Sequence, residues 1–138
     1  MTEAQRLIAE AATAAEQSYS PYSNYRVGAV VVGSDGVEYR GCNVENAAYG
    51  ASICAEANAI TNAAAHGVRA IDTVAVTCLD GDACSPCGNC RQIMREFGVR
   101  RVILTNESGE PVEYTLDDPT RADGAERTPG ASIERRRG

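Results

Sequence analysis

A chain of 138 residues with a net charge of −6 and 43% hydrophobic residues suits a single globular domain and excludes a protein that is disordered throughout. All of its Lys and Arg residues are arginines, which excludes lysine nucleophiles and Schiff-base chemistry. The sequence has no run of about 18 apolar residues and no secretory signal, so we expect a cytoplasmic protein without a membrane partner.

Hydrophobic periodicity and turn residues predict alternating helices and strands. The first helix begins at a capping box formed by Thr2 and Gln5. Two more helices are predicted at 53–65 and 88–97, and strands are predicted at 27–32, 37–42, 71–79, 99–105 and 112–116. This order favours an α/β fold, a three-layer α/β/α sandwich around a mixed, mostly five-stranded sheet with some parallel pairing.

The domain is predicted to span residues 1–118. Residues 119–138 are polar, with almost no bulky apolar side chains, and predict a mobile C-terminal tail. The run Arg135-Arg136-Arg137 is interpreted as part of that solvated tail. The acidic net charge and the lack of a basic stripe in the body of the chain predict that nucleic acid is not a partner.

Two short motifs carry the chemistry, CAE at 54–56 and PCGNC at 86–90, each at the start of a predicted helix. Thiols from Cys54, Cys87 and Cys90 would hold a tetrahedral zinc ion and leave its fourth position for water. Helix N-termini favour the thiolate form that metal binding requires. A carboxylate beside such a water can take its proton and deliver it elsewhere, which makes Glu56 the candidate general acid and base.

Other interpretations of these residues stay open at this point. A Cys-x-x-Cys pair also occurs in redox proteins and in structural zinc sites, so a non-catalytic zinc-binding module with Cys84 as a fourth ligand is an alternative. Cys42 and Cys78 lie in strand-like runs and are interpreted as small buried apolar residues. His66 is expected to be a solvent-exposed residue near a helix C-terminus rather than a ligand.

Four ordered blocks resemble the small, homotetrameric-type, zinc-dependent cytidine deaminases. They are YSPYSNYRVGA at 19–29, GCNVENA at 41–47, CAE at 54–56 and SPCGNCRQ at 85–92. The resemblance implies a hydrolase of pyrimidine salvage that deaminates cytidine and 2′-deoxycytidine to the uridines and releases ammonia. It also implies one zinc ion per subunit, a small-molecule nucleoside substrate and assembly as a homotetramer.

The resemblance also implies roles for individual residues. Cys54, Cys87 and Cys90 match the zinc ligands of the family, and Glu56 matches its proton shuttle. The matched substrate contacts are Tyr25 beside the nucleoside, Asn43 and Glu45 at the sugar 3′-hydroxyl, the backbone of Ala55 and Ser85 at the pyrimidine edge, and Tyr49 in an element shared between subunits.

Two departures from the family pattern bear on the substrate. Ala57 stands where similar enzymes carry an arginine that donates to the metal-bound sulfurs, so Arg91 is a candidate for offsetting the negative charge of three thiolates. The sequence after Asp117 also lacks the aromatic residue that similar enzymes place in a neighbouring site. An alternative substrate is therefore a modified cytosine nucleoside or a cytosine-bearing antibiotic, as in blasticidin S deaminase.

Overall fold

The structure, a computed structural model, describes residues 1–81 and 88–116, without the side chains at 88 and 89. The helices are α1 (Glu3–Ala15), α2 (Ala55–Ala65) and α3 (Gly88–Glu96), and the strands are β1 (Val27–Gly33), β2 (Glu38–Cys42), β3 (Ile71–Cys78), β4 (Arg101–Thr105) and β5 (Pro111–Thr115). The predicted domain boundary at 118 and the tail at 119–138 lie outside these ranges. In the described part of the chain, no helix has the length and apolar character needed to cross a membrane.

The strands form one sheet in the order β2-β1-β3-β4-β5. Its pairs are antiparallel except for β3 and β4, which are parallel and are connected through α3. Parallel neighbours need such a crossover, whereas antiparallel neighbours can be joined by a short turn. The mixed five-stranded sheet predicted from the order of elements is therefore confirmed.

Helices cover both faces of the sheet and form three layers. On one face α1 packs Leu7 and Ala11 against Val30, Ala75 and Ile103. On the other face, α2 and α3 bury a second cluster of strand residues, namely Ala29, Val31, Val74, Val76 and Val102. Successive strand residues point to opposite faces, so β1 and β3 are apolar along most of their length.

Two glycines let the helices lie directly on the sheet. A Cβ atom at Gly28 would lie 2.0 Å from the carbonyl oxygen of Ala11, and one at Gly41 would lie 2.3 Å from the backbone nitrogen of Ala59. These contacts join backbone to backbone, so a side chain could not be accommodated by rotation alone. The position of α2, which begins beside Cys54, is thus set by its contact with β2.

The loop between β2 and α2 differs from the prediction. The helix predicted at 53–65 begins at Ala55, because Ile53 pairs with Val44 in an isolated antiparallel bridge with two backbone hydrogen bonds of 2.9 Å. A short 3₁₀ turn, Tyr49–Ala51, lies within the segment predicted as irregular. At the start of α1, the capping box predicted for Thr2 and Gln5 is confirmed.

Candidate active site

Two helix N-termini bring the candidate metal ligands together. Cys54 is the N-cap residue of α2, with extended backbone, and Cys90 lies in the first turn of α3. Glu56 follows in the first turn of α2. One ligand atom each from Cys54, Glu56 and Cys90 lies within 4.8 Å of the others. The helix dipoles favour negative charge at this point, which assists ionisation of both thiols.

The two cysteines fit a metal better than a disulfide. Their Sγ atoms are in direct contact, at a disulfide-like separation. Their Cα atoms, however, are 7.3 Å apart, wider than the range of about 4.4 to 6.8 Å that disulfides usually span. Thiolates that share a tetrahedral metal do not require so close a backbone approach. Cys54 and Cys90 are therefore residues that could hold a metal ion, and their role as zinc ligands stays a prediction. Cys87, the predicted third ligand, lies outside the described residues.

Glu56 is a buried carboxylate beside these thiols. Its side chain is 4% exposed, and none of the ion pairs within the described ranges includes it. Burial raises the pKa of the Glu56 carboxyl, and a hydrogen bond from its own backbone N–H offsets that effect in part. A carboxyl group tuned toward neutral pH can both accept and donate a proton during one reaction.

A cavity of about 670 Å³ connects this cluster to the loops before β1 and after β2. The predicted site residues that line it are Tyr25, Asn43, Glu45, Tyr49, Cys54, Ala55, Glu56 and Cys90. Such a volume suits a small ligand held by a few polar groups. The structure thus brings these predicted residues to one cavity, and their individual roles stay predictions.

Asn43 and Glu45 are already hydrogen-bonded within the protein. The Asn43 Oδ1 atom accepts from the Ser18 hydroxyl and from the Val27 backbone N–H, while its Nδ2 donates to the Tyr25 carbonyl oxygen at 2.9 Å. Since an amide nitrogen carries two hydrogens and Nδ2 has this one acceptor among the described residues, its other N–H is a candidate donor to a ligand. The hydroxyl of Ser23 is the largest influence that lowers the pKa of the Glu45 carboxyl.

Tyr25 forms a fixed wall of the cavity. Its hydroxyl donates to the Cys78 Sγ atom at 3.2 Å, and its ring lies against Gly81, where an added Cβ would come within 2.7 Å of the tyrosine Cε1 atom. Gly81 also has a φ of 107°, a value that favours glycine. The hydroxyl that distinguishes tyrosine from phenylalanine is thus used to fasten the ring to the end of β3.

Sequence reasoning missed an ion pair next to Tyr25. The Arg26 backbone N–H and Nε donate to the Asp80 Oδ2 atom at 2.8 and 2.9 Å, and Nη2 donates to Oδ1 at 2.9 Å. These bonds to Arg26 lower the pKa of the Asp80 carboxyl to about 2. The partners are separated by 54 positions, and no local pattern in the sequence indicates that they meet.

The remaining predicted residues have mixed outcomes. Tyr49 is 90% exposed at the cavity mouth, and Ala55 is buried at the start of α2. Arg91 is half-buried directly after Cys90, and Ala57 is 7% exposed within α2. His66 is exposed at the end of α2, as predicted.

The side chains of Cys42 and Cys78 were predicted to be buried but are half-buried, because each is the last residue of its strand. Cys84 and Ser85 lie outside the described residues.

Known proteins share this sequence and fold. Residues 1–106 match the family model of the cytidine and deoxycytidylate deaminase zinc-binding region. The chain is 45% identical over 114 residues to a cytidine deaminase of Sporosarcina psychrophila, covering 81% of this chain and 84% of that protein. It is 40% identical over 116 residues to a cytidine deaminase of Halalkalibacterium halodurans, covering 83% of this chain and 88% of that protein.

Solved structures agree with these sequence relatives. The crystal structure of cytidine deaminase from Burkholderia pseudomallei matches with a TM-score of 0.78 and 41% identity, covering 88% of this chain and 98% of that chain. Cytidine deaminase from Mycobacterium tuberculosis matches with a TM-score of 0.73 and 30% identity, covering 88% of this chain and 97% of that chain. The two thiols and the buried carboxylate described above therefore lie in a chain that belongs to the cytidine and deoxycytidylate deaminase family.

Proposed function

We propose that the chain catalyses hydrolytic deamination of cytidine and 2′-deoxycytidine, giving uridine or 2′-deoxyuridine and ammonia. It is a zinc-dependent deaminase by family, and one observation carries the proposal for its site. That observation is the buried Glu56 carboxylate, which shares a cavity with the thiols of Cys54 and Cys90 within 4.8 Å. This arrangement supports a role for Glu56 as the proton carrier beside the proposed metal ligands.

The metal and the carboxylate have separate tasks. Cys54, Cys90 and the predicted third ligand Cys87 would hold zinc, which supplies a nucleophile at neutral pH by lowering the pKa of water to about 7. Glu56 takes the proton of the attacking water and delivers it to N3 of the pyrimidine. It then transfers the second proton of the same water to the departing amine, so that one water is consumed and ammonia leaves. Arg91 is proposed to offset part of the negative charge of the three thiolates.

The sugar and base are proposed to bind along the rest of the cavity. The Glu45 carboxylate accepts from the 3′-hydroxyl, and the other N–H of Asn43 donates to the same group. The ring of Tyr25, fastened at Cys78, supports the nucleoside. The backbone of Ala55 and Ser85 reads the pyrimidine edge.

The proposal extends to assembly and cellular context. We propose a homotetramer in which Tyr49 completes a neighbouring site, and the 90% exposure of its side chain at the cavity mouth supports this role. Thiolate ligands persist in a reducing compartment, which supports a role in pyrimidine salvage in the cytoplasm. The net charge of −6 supports a free nucleoside rather than a nucleic acid as substrate.

The test of this function is substrate turnover by the zinc-loaded protein and by Glu56→Gln. We expect the unaltered protein to decrease the long-wavelength absorbance of cytidine. Because the glutamine cannot carry a proton, Glu56→Gln should lower kcat by about a hundredfold or more, with zinc content unchanged. Glu107→Gln, which changes an exposed glutamate in a distant turn, is the matched control. A folded, zinc-loaded protein that leaves cytidine and deoxycytidine intact would refute the proposal.

A second substrate class is favoured by one observation, the buried Ala57 at a position where similar enzymes carry arginine. A modified cytosine nucleoside or a cytosine-bearing antibiotic would undergo the same chemistry in an altered pocket. Parallel kcat/KM measurements on cytidine, its modified forms and such an antibiotic distinguish the two classes. Metal-edge spectroscopy that found four sulfur ligands would instead favour the non-catalytic module with Cys84 as fourth ligand.

A further inference from the structure

A tight turn precedes β1 and faces the cavity. The Asn24 backbone N–H donates to the carbonyl oxygen of Ser20 at 2.9 Å, and Asn24 has a φ of 58°. Asparagine is one of the few residues with a side chain that adopts this left-handed conformation readily. The turn exposes the backbone N–H groups of Tyr22 and Ser23, which lie at the edge of the cavity.

The Glu45 carboxylate occupies the inside of this turn. Its Oε1 atom accepts from the backbone N–H groups of Tyr22 at 3.0 Å and Ser23 at 3.1 Å, and its Oε2 atom accepts from the Ser23 hydroxyl in a short contact. The same hydroxyl oxygen accepts from the Tyr25 backbone N–H at 3.1 Å. Ser23 therefore connects the carboxylate to the backbone of the residue that forms the cavity wall.

The hydrogen bonds that the Glu45 carboxylate can still accept indicate what kind of ligand it binds. Each carboxylate oxygen can accept about two hydrogen bonds. Among the described residues, Oε1 has two donors and Oε2 has one, so one acceptor position remains on Oε2. An ionised carboxylate only accepts, so a ligand at this position must donate, as a hydroxyl group does.

We propose that the Ser23 hydroxyl is a positioning group, which holds Glu45 Oε2 so that its remaining acceptor position meets the sugar hydroxyl of the substrate. The inference rests on the proposed role of Glu45 in nucleoside binding. Without the Ser23 hydroxyl, Oε2 loses its one partner among the described residues, and the carboxylate is held through Oε1 alone. The substrate must then fix the position of Oε2 itself, which weakens binding without changing the chemical step.

The experiment compares Ser23→Ala with the unaltered protein on cytidine and on 3′-deoxycytidine. For cytidine we expect KM to rise about five- to tenfold, the size of a weakened hydrogen bond to a charged group, and kcat to change less than about twofold. For 3′-deoxycytidine, which lacks the hydroxyl, the substitution should leave KM unchanged. A role in folding alone would impair both substrates equally, and that result would overturn the proposal.

Matched variants separate the hydroxyl from the shape of the side chain. Ser23→Thr retains the hydroxyl and should keep the low KM for cytidine. Ser23→Val, whose side chain has the shape of threonine but no hydroxyl, should behave as Ser23→Ala does. Ser34→Ala, in the exposed turn between β1 and β2, is the control. Equal use of cytidine and 3′-deoxycytidine by the unaltered protein would overturn the role of Ser23 but leave deamination intact. If the unaltered protein turned over neither substrate, that result would refute the proposed function itself.

Discussion

The Asp80 carboxylate lies where the fold keeps it charged in acid. Its hydrogen bonds from Arg26 lower the pKa of the Asp80 carboxyl from 3.8 to about 2. In the unfolded chain this group titrates at its ordinary value, so the unfolded state takes up the proton first as the pH falls. The stability that the pair contributes is therefore complete above about pH 4 and is lost between about pH 4 and pH 2.

Substitution of Asp80 tests whether this stability is lost as the pH falls. At pH 6, Asp80→Asn should lower the free energy of unfolding relative to the unaltered protein, because the ion pair is lost. At pH 2 most of this difference in unfolding urea concentration should have disappeared, since the Asp80 carboxyl is then about half protonated in the folded protein and almost fully protonated in the unfolded chain. The urea unfolding of both proteins is measured in the absence of metal, with Glu107→Gln as the control. A difference that stayed constant from pH 6 to pH 2 would show that charge at Asp80 is not the cause.

Among the structural elements, the contact of α2 with β2 depends on Gly41. A methyl group there would lie 2.3 Å from the Ala59 backbone nitrogen and 2.7 Å from the Ala55 carbonyl oxygen. Gly41→Ala should therefore push α2 off the sheet and lower the free energy of unfolding by about 1 to 3 kcal/mol. Zinc affinity should fall as well, because α2 carries Cys54. Both are measured by denaturant unfolding and by zinc competition with a chromogenic chelator.

Gly50→Ala is the matched control for that substitution. Nothing lies within 4 Å of a methyl group added at Gly50, so unfolding should be nearly unchanged. If Gly41→Ala were as stable as Gly50→Ala and bound zinc equally well, the close approach of α2 to β2 would not be what positions the metal ligand.

The elements also show how far the sequence alone could lead. Apolar runs and turn residues indicate the helices, the strands and the mixed sheet, because both faces of this sheet are buried and the signals are local. The spacing within CAE and PCGNC indicates the metal chemistry for the same reason. The Val44–Ile53 bridge and the Ser23–Glu45 contact join separate segments of the chain, and no local pattern in the sequence predicts which segments pair. The helix predicted from Ile53 was wrong at its start on that account.

At the scale of the whole molecule, the proposed metal site would link two helices that are far apart in the sequence. Cys54 at the start of α2 and Cys90 in α3 are separated by 36 positions, and their sulfur atoms are in contact. As free thiolates the two groups would repel each other, whereas a bound divalent ion offsets their charge. Any ligand that binds only the folded state stabilises it by mass action. Zinc should therefore contribute directly to stability as well as to catalysis.

Removal of the metal tests this link. With free zinc about a thousandfold above its Kd, binding contributes about 4 kcal/mol, so chelation should lower the melting temperature by about 10 °C or more. Cys90→Ser should melt at the lower temperature, and a chelator should hardly affect it because one ligand is missing. Reductant is present throughout, which prevents a disulfide between Cys54 and Cys90 from replacing the metal. If metal analysis proved the zinc gone and melting were unchanged, the two helices would be held by apolar packing alone, and the role of zinc would be confined to the chemical step.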